Sequence, residues 1–448
     1  MISLTVRSKT AVLFFSALVL FCVCLFVPFL SDSQYLHVSI YSIIMLMVSF
    51  TLISLYCASC NKGVVTPVGL FILSLVIFIL ARAYFLVFLD VVIIEIGERI
   101  TFYNVLLTVA HIAAGLAFIV FGYIVFIPEK LKIQYFFSRN FRLSRFIISS
   151  ILCVSVLLLL YFLKLSYDKY LILKTISYAS AFELGTFHTH LVYFFLAKQL
   201  MLLWVFFSGN RNSFLLGSAL LFLGSVGFIL IGLRGYTIAY MFLFLYFMNE
   251  RKKINIFLLV SVGLGLIYVA ALVLEFRVGF KVFNGLAEII PKTLYQQGAS
   301  FEVVFGATVF PQELKSCISI FEYFSGKDFG LCVDRVRGID WEFGGFASSF
   351  FAEAIYLGYI PYAFLCFVLG IALKYLDYLS QVRFAALKNG HSIQFIGLVL
   401  FATIPNLVYF ARSSAFDLIA KVVSISLILI CFAVIFSRRS KVGTMSNA

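Results

Sequence analysis

The chain has 448 residues, 63% of them hydrophobic and 12% charged, and a net charge of +14. Soluble globular chains carry roughly 25% charged residues, so a soluble domain is excluded. Apolar runs near the ~20 residues that cross a bilayer core point instead to a polytopic helical membrane protein, and a membrane barrel is excluded because barrel strands alternate polar and apolar residues.

The first apolar run, 11–30, is too long for a typical signal-peptide core and lacks a small-x-small cleavage site, so it reads as a retained first helix. Further helices are predicted at 36–57, 67–89, 103–127, 146–165 and 189–207. Between Asn212 and Asn249 lies a hydrophobic stretch of under 40 residues with basic residues at both flanks, so it must go out and come back. At ~1.5 Å per residue each half barely spans. Helices at 213–231 and 236–249 therefore reverse at Gly232-Leu-Arg-Gly235, near the outer surface. A ninth helix is predicted at 254–275, then a large outer loop over 276–350, then helices at 351–373, 393–410 and 417–436. The predicted fold is an all-α integral membrane protein of about 12 transmembrane helices, one transmembrane domain over 1–448, with the large loop between helices 9 and 10. No internal repeat marks an inverted-repeat transporter.

This threading explains the charge. With the N-terminus inside, the cytoplasmic segments hold 18 of the 34 Lys and Arg residues against three acids, Glu129, Glu250 and Asp377, and the rest of the chain is close to neutral. That is the positive-inside bias of a membrane protein, with both termini in the cytoplasm. It leaves no basic excess for a nucleic acid to account for.

An ionisable group at membrane depth costs about 2.5–3.5 kcal/mol on insertion scales, so each needs a reason. Lys198 lies mid-helix, whereas Arg82, Arg234, Arg277 and Arg412 all fall toward the outer side. Each arginine has a plain reading, snorkelling to headgroups or pairing with a nearby carboxylate. Arg234 is the least easily explained so, because glycines flank it at a reversal too short to reach water readily. Several guanidinium groups converging on one outer site would suit a pyrophosphate, which they bind in bidentate fashion.

Carboxylates at that level are Glu302, Asp340, Glu342, Glu353 and Asp417. Activating a hydroxyl needs a base within hydrogen-bond reach, and Glu302 and Glu353 are the catalytic candidates. The alternative for each is a helix cap or an ion pair with one of the arginines. No metal or cofactor is expected. His188 and His190 lack partners at ligand spacing, Cys57-Ala-Ser-Cys60 is a lone CxxC, and there is no Asp-x-Asp. Cys317 and Cys332 are the two cysteines of the large loop and form a disulfide if that loop meets an oxidising compartment; two free buried thiols are the alternative. Ile318, Phe321 and Phe324, between them, are spaced like the apolar face of a short helix.

Three stretches together resemble Wzy-type O-antigen polymerases and the polymerases of enterobacterial common antigen. They are Gly232-Leu-Arg-Gly-Tyr236, Gly344-Gly-Phe-Ala-Ser-Ser-Phe-Phe-Ala-Glu-Ala-Ile-Tyr-Leu-Gly358 and Asn406-Leu-Val-Tyr-Phe-Ala-Arg-Ser-Ser414, with the long loop between the first two. The resemblance covers roughly 190–436, the earlier residues matching only in hydropathy. It implies a fold like the GT-C class of multi-spanning glycosyltransferases in the bacterial inner membrane. It also implies an activity that joins undecaprenyl-pyrophosphate-linked oligosaccharide repeat units at the periplasmic face, with chain length set by a separate co-polymerase. Arg234 and Arg412 match the family pattern for holding pyrophosphate, and Arg277 sits near the basic residues at the head of the loop. Glu302 and Glu353 fall where the family often has a carboxylate, while residues after Phe310 depart from the pattern. An O-antigen ligase shares the architecture but would want a histidine in 276–350, which has none. A flippase or transporter, or a scaffolding membrane protein, are the remaining alternatives.

Overall fold

Hydrocarbon offers no water to unpaired backbone groups, so a chain this apolar satisfies them inside helices. The computed structural model describes residues 6–30, 34–59, 65–88, 101–128, 144–173, 189–208, 211–231, 233–251, 300–324, 329–336, 349–388 and 394–412, with isolated positions between 254 and 298. Among these residues every regular element is helical.

The first half comprises α1 (Val6–Phe26), α2 (Gln34–Ser59), a rod in three pieces, α5 (Phe102–Val125) and α6 (Arg145–Leu173). The rod runs α3 (Pro67–Leu75), a π-helical turn at Val76–Leu80, then α4 (Ala81–Phe88). Its start is set locally. The Thr66 hydroxyl accepts from the Gly69 N–H at 3.0 Å, and Pro67 occupies the first helical position, where its missing N–H costs nothing. After α7 (Leu191–Ser208) come α8 (Arg211–Leu230) and α9 (Arg234–Asn249), joined by a tight reversal in which the Leu233 N–H donates to Phe228 O at 2.7 Å. A group of short helices follows: α10 (Ser300–Val309), α11 (Pro311–Cys317), α12 (Ile320–Phe324), α13 (Phe329–Val336) and α14 (Phe350–Tyr356). The chain then enters α15 (Tyr359–Lys388) and α16 (Gln394–Tyr409), which ends in a 3-10 turn, Phe410–Arg412. Eight helices among the described residues are long and apolar enough to cross a membrane.

Three features differ from expectation. The helix expected at 351–373 is broken at Gly358, whose φ of 112° lies in the left-handed region that glycine adopts without strain. Glu353 therefore sits on its own short helix, and α15 runs on to Lys388 through residues expected to form an inner loop. Helix α6 likewise continues to Leu173. The predicted helix at 417–436 and most of the one at 254–275 lie outside the described residues.

Close packing of α5 on α15 organises the bundle. Gly122 faces the Phe367 carbonyl and Gly370 faces the Ile119 carbonyl, and a Cβ at either position would collide with those backbone oxygens. Small residues at such a crossing let two helix backbones approach within hydrocarbon, where packing drives association. At the end of α15 remote from α14, the Arg383 Nε donates to Glu250 Oε1 at 2.6 Å and its guanidinium lies 4.2 Å over the Phe214 ring. Nearby the Tyr123 hydroxyl donates to Asp377 Oδ2 at 2.9 Å. At ~1.5 Å rise per residue, Arg383 stands roughly 36 Å along α15 from Tyr359.

Candidate functional site

The candidate site lies at the other end, where the α3–α4 rod, the 3-10 turn after α16, the start of α9, and helices α10 and α14 meet. Arg82 follows directly on the π turn, an irregularity often found at functional positions. Its side chain is only 3% exposed and forms an ion pair with the fully buried Glu302. Glu302 stands in the first turn of α10, where the helix dipole favours an acid, and Ser300–Ala307 of that helix are all buried. Gly298 makes this contact possible. It lies against Arg82 so closely that a Cβ there would come within 2.8 Å of the Arg82 backbone nitrogen. Two charges buried in an apolar interior hold together because each offsets the desolvation of the other.

Arg412 closes the 3-10 turn with its guanidinium 5.9 Å from the ring centroid of Phe78, a member of the π turn. Phe78 also meets Tyr409 edge-on at 5.6 Å, and Tyr409 stacks on Tyr236 at 5.6 Å and 14°. Gly235 abuts the Tyr409 ring with no room for a side chain. The Ala411 N–H donates to Ser74 Oγ at 3.1 Å, pinning the turn to α3. The π turn thus lies between the two: Arg82 follows it in the first turn of α4, and its Phe78 supports Arg412. The Arg234 backbone opens α9 beside Tyr409, although its side chain lies outside the described atoms. Arg277 lies outside the described residues altogether.

Glu353 is fully buried in the first turn of α14, and the Tyr323 hydroxyl donates to its Oε2. Tyr323 belongs to α12, whose start is fixed by a reciprocal cap. The Ser319 N–H donates to Glu322 Oε2 at 2.8 Å, and the Glu322 N–H to Ser319 Oγ at 3.2 Å. Cys317 and Cys332 are joined as a disulfide with Cα atoms 5.8 Å apart, linking α11 to α13 around α12. The Tyr356 hydroxyl donates to Ile318 O at 2.6 Å. Burial, and then the nearby Glu322 charge, push this phenol above its ordinary pKa. Helix α14 packs on α10, and the Phe350 ring meets Phe410 at 4.7 Å, beside Arg412. No group of three potential metal ligands occurs among the described residues.

A curated O-antigen polymerase from Escherichia coli is 37% identical to this chain over 389 residues, an alignment that covers 83% of this chain and 84% of the relative. The chain belongs to the O-antigen polymerase family. An alignment of that length cannot fit within 190–448, so the family likeness extends well before residue 190, where hydropathy alone had been expected to match. No family model matches the chain, and no solved structure does.

Of the residues expected in the site of this O-antigen polymerase family member, the structure brings Arg82 and Glu302 into direct contact. It sets Arg412 on the aromatic side chain that precedes Arg82 by one helical turn, and it packs the Glu353 helix against the Glu302 helix. Tyr323 was missed. A single tyrosine has no spacing signal, and its only sequence cue is its place between Cys317 and Cys332.

Proposed function

We propose that this O-antigen polymerase is a glycosyltransferase of the inner membrane that joins undecaprenyl-pyrophosphate-linked oligosaccharide repeat units at the periplasmic face. In this reading about twelve spans form a GT-C-like fold with both termini in the cytoplasm, and the helices of 276–350 cover the site from the periplasm. The acceptor hydroxyl oxygen attacks the donor anomeric carbon, the bond from that carbon to the pyrophosphate oxygen breaks, and the hydroxyl proton passes to a glutamate. Undecaprenyl pyrophosphate leaves carrying the electron pair. Arg412, Arg82 and, by their place in the chain, Arg234 and Arg277 stabilise the pyrophosphate charge as it develops. Glu302 is committed to a guanidinium and holds Arg82 in place. Glu353 is oriented by the Tyr323 phenol, as a general base must be oriented to meet a hydroxyl, and serves as the base. A separate co-polymerase sets chain length.

The observation that supports this reading most is the buried Arg82–Glu302 pair next to the π turn on which Arg412 rests. Charges are retained at such depth for a task, and here Arg412 lies over Phe78 of the π turn that Arg82 follows in α4. The test is deletion followed by complementation with the wild-type chain and with Arg412→Ala and Glu353→Gln, reading the lipopolysaccharide ladder on a gel. The expected result is loss of long chains with a single repeat unit still capped on the lipid core. Loss of every repeat on deletion would overturn the reading in favour of a ligase or flippase.

A further inference from the structure

We infer that Tyr323 is a positioning residue for the transfer reaction, holding the Glu353 carboxylate in line for the acceptor hydroxyl, and that the Cys317–Cys332 disulfide holds Tyr323 there. This rests on the role given to Glu353 above.

The phenol and the carboxylate lie 30 residues apart in sequence and are both buried, Tyr323 at 5% and Glu353 at 0% exposure. Tyr323 sits on α12, a helix of five residues. A helix that short does not persist by itself in water, since nucleation alone outweighs its few hydrogen bonds. Four separate contacts nevertheless hold it. The disulfide closes the segment at both ends, the Ser319–Glu322 box caps its start, and the Tyr356 hydroxyl ties down Ile318 just before it. The Phe329 ring packs edge-on against Tyr323 at 6.1 Å and Tyr356 at 5.4 Å.

A segment that only covered apolar surface would need bulk at position 323, which a phenylalanine supplies equally well. The hydroxyl adds one thing, a charge-assisted hydrogen bond that fixes the direction in which the carboxylate points. A base misdirected by a fraction of an ångström loses much of its effect, because proton transfer needs hydrogen-bond geometry with the reacting group. The bridge between Cys317 and Cys332 then ties the activity of the chain to a thiol-oxidising compartment, with a disulfide-forming oxidase as the class of reaction that completes it.

The test uses the purified full-length chain in lipid nanodiscs with a lipid-pyrophosphate-linked repeat unit as substrate. It compares wild type, Tyr323→Phe and Glu353→Gln for kcat, KM and thermal stability. The inference expects Tyr323→Phe to lower kcat roughly 10- to 100-fold, the range for one hydrogen bond to a charged group, with KM unchanged and only a modest fall in unfolding temperature from the lost buried hydrogen bond. Glu353→Gln should lower kcat at least as far. If Glu353→Gln is inactive while Tyr323→Phe keeps kcat within about twofold of wild type, the positioning inference is overturned and the site reading stands. If Glu353→Gln itself polymerises normally, the assignment of Glu353 fails first, and the positioning role with it. Should Tyr323→Phe not accumulate, folded wild type is treated with a membrane-permeant reductant and then reoxidised. A reversible fall in kcat at constant KM is expected, and an unchanged kcat in protein shown to carry free thiols would overturn the inference.

Discussion

Replacing Arg82 by methionine keeps the Cβ that rests against Gly298 and most of the side-chain volume, but removes a guanidinium that is 3% exposed and strips the fully buried Glu302 of this counter-charge. Breaking a buried pair from one side costs about 3–5 kcal/mol, because the remaining charge stays desolvated. Neither group is exposed enough for solvent screening to reduce that figure. Removing both charges together, as in Arg82→Met/Glu302→Leu, should return most of the loss, since apolar replacements of similar size are often neutral or stabilising. The four proteins of this cycle are unfolded thermally in detergent, and each is tested for a polymer ladder in a deletion strain. Both single variants should be strongly destabilised, with a coupling of several kcal/mol between the positions. The double variant should be as stable as wild type and yet make no long chains. A cost below about 1 kcal/mol for Arg82→Met, the range of an exposed ion pair, would refute the buried pairing. Normal ladders from the double variant would refute a role for Arg82 toward substrate.

Three further outcomes follow from the geometry. Arg412→Ala should lower polymerisation roughly 100-fold, the scale for removing one group that stabilises developing negative charge, and near-normal activity in a repeat-unit assay would remove it from the site. Gly370→Val pushes a side chain into the Ile119 carbonyl and should cost about 3 kcal/mol, read as lost folded yield in detergent, whereas Gly265→Ala, with nothing within 4 Å of the added carbon, should be silent. Arg383→Gln breaks the pair with Glu250, which is 3% exposed, and should lower the unfolding temperature while leaving turnover per folded molecule unchanged. A matching fall in turnover would mean that the far end of α15 is coupled to the site.

The sequence by itself determined that the chain is a polytopic helical membrane protein, because the signals involved are local. Run length sets where a helix can cross, and α2, α5, α7 and α8 lie within a few residues of their expected spans. The short stretch between Asn212 and Asn249 forced a reversal, and the chain turns at Leu233. Charge bias likewise accumulates along the chain and can be counted without knowing a contact. The break at Gly358 was not legible, since an isolated glycine in an apolar run is compatible with an unbroken helix.

The choice between a plain and a functional reading of each charge belonged to tertiary structure. Arg82 and Glu302 are 220 positions apart, and no periodicity links them. Their pairing depends on the π turn that sets the direction of α4 and on a glycine small enough to let α10 lie against it. The same holds for Arg412, brought to Phe78 by the packing of α16 on α3, and for Tyr323, held at Glu353 by a disulfide and a cap. Hydrophobicity acts on each segment independently of the others, so it can be read from composition. An ion pair or a hydrogen bond needs two groups at one point in space, and only the packing of the helices decides which groups those are.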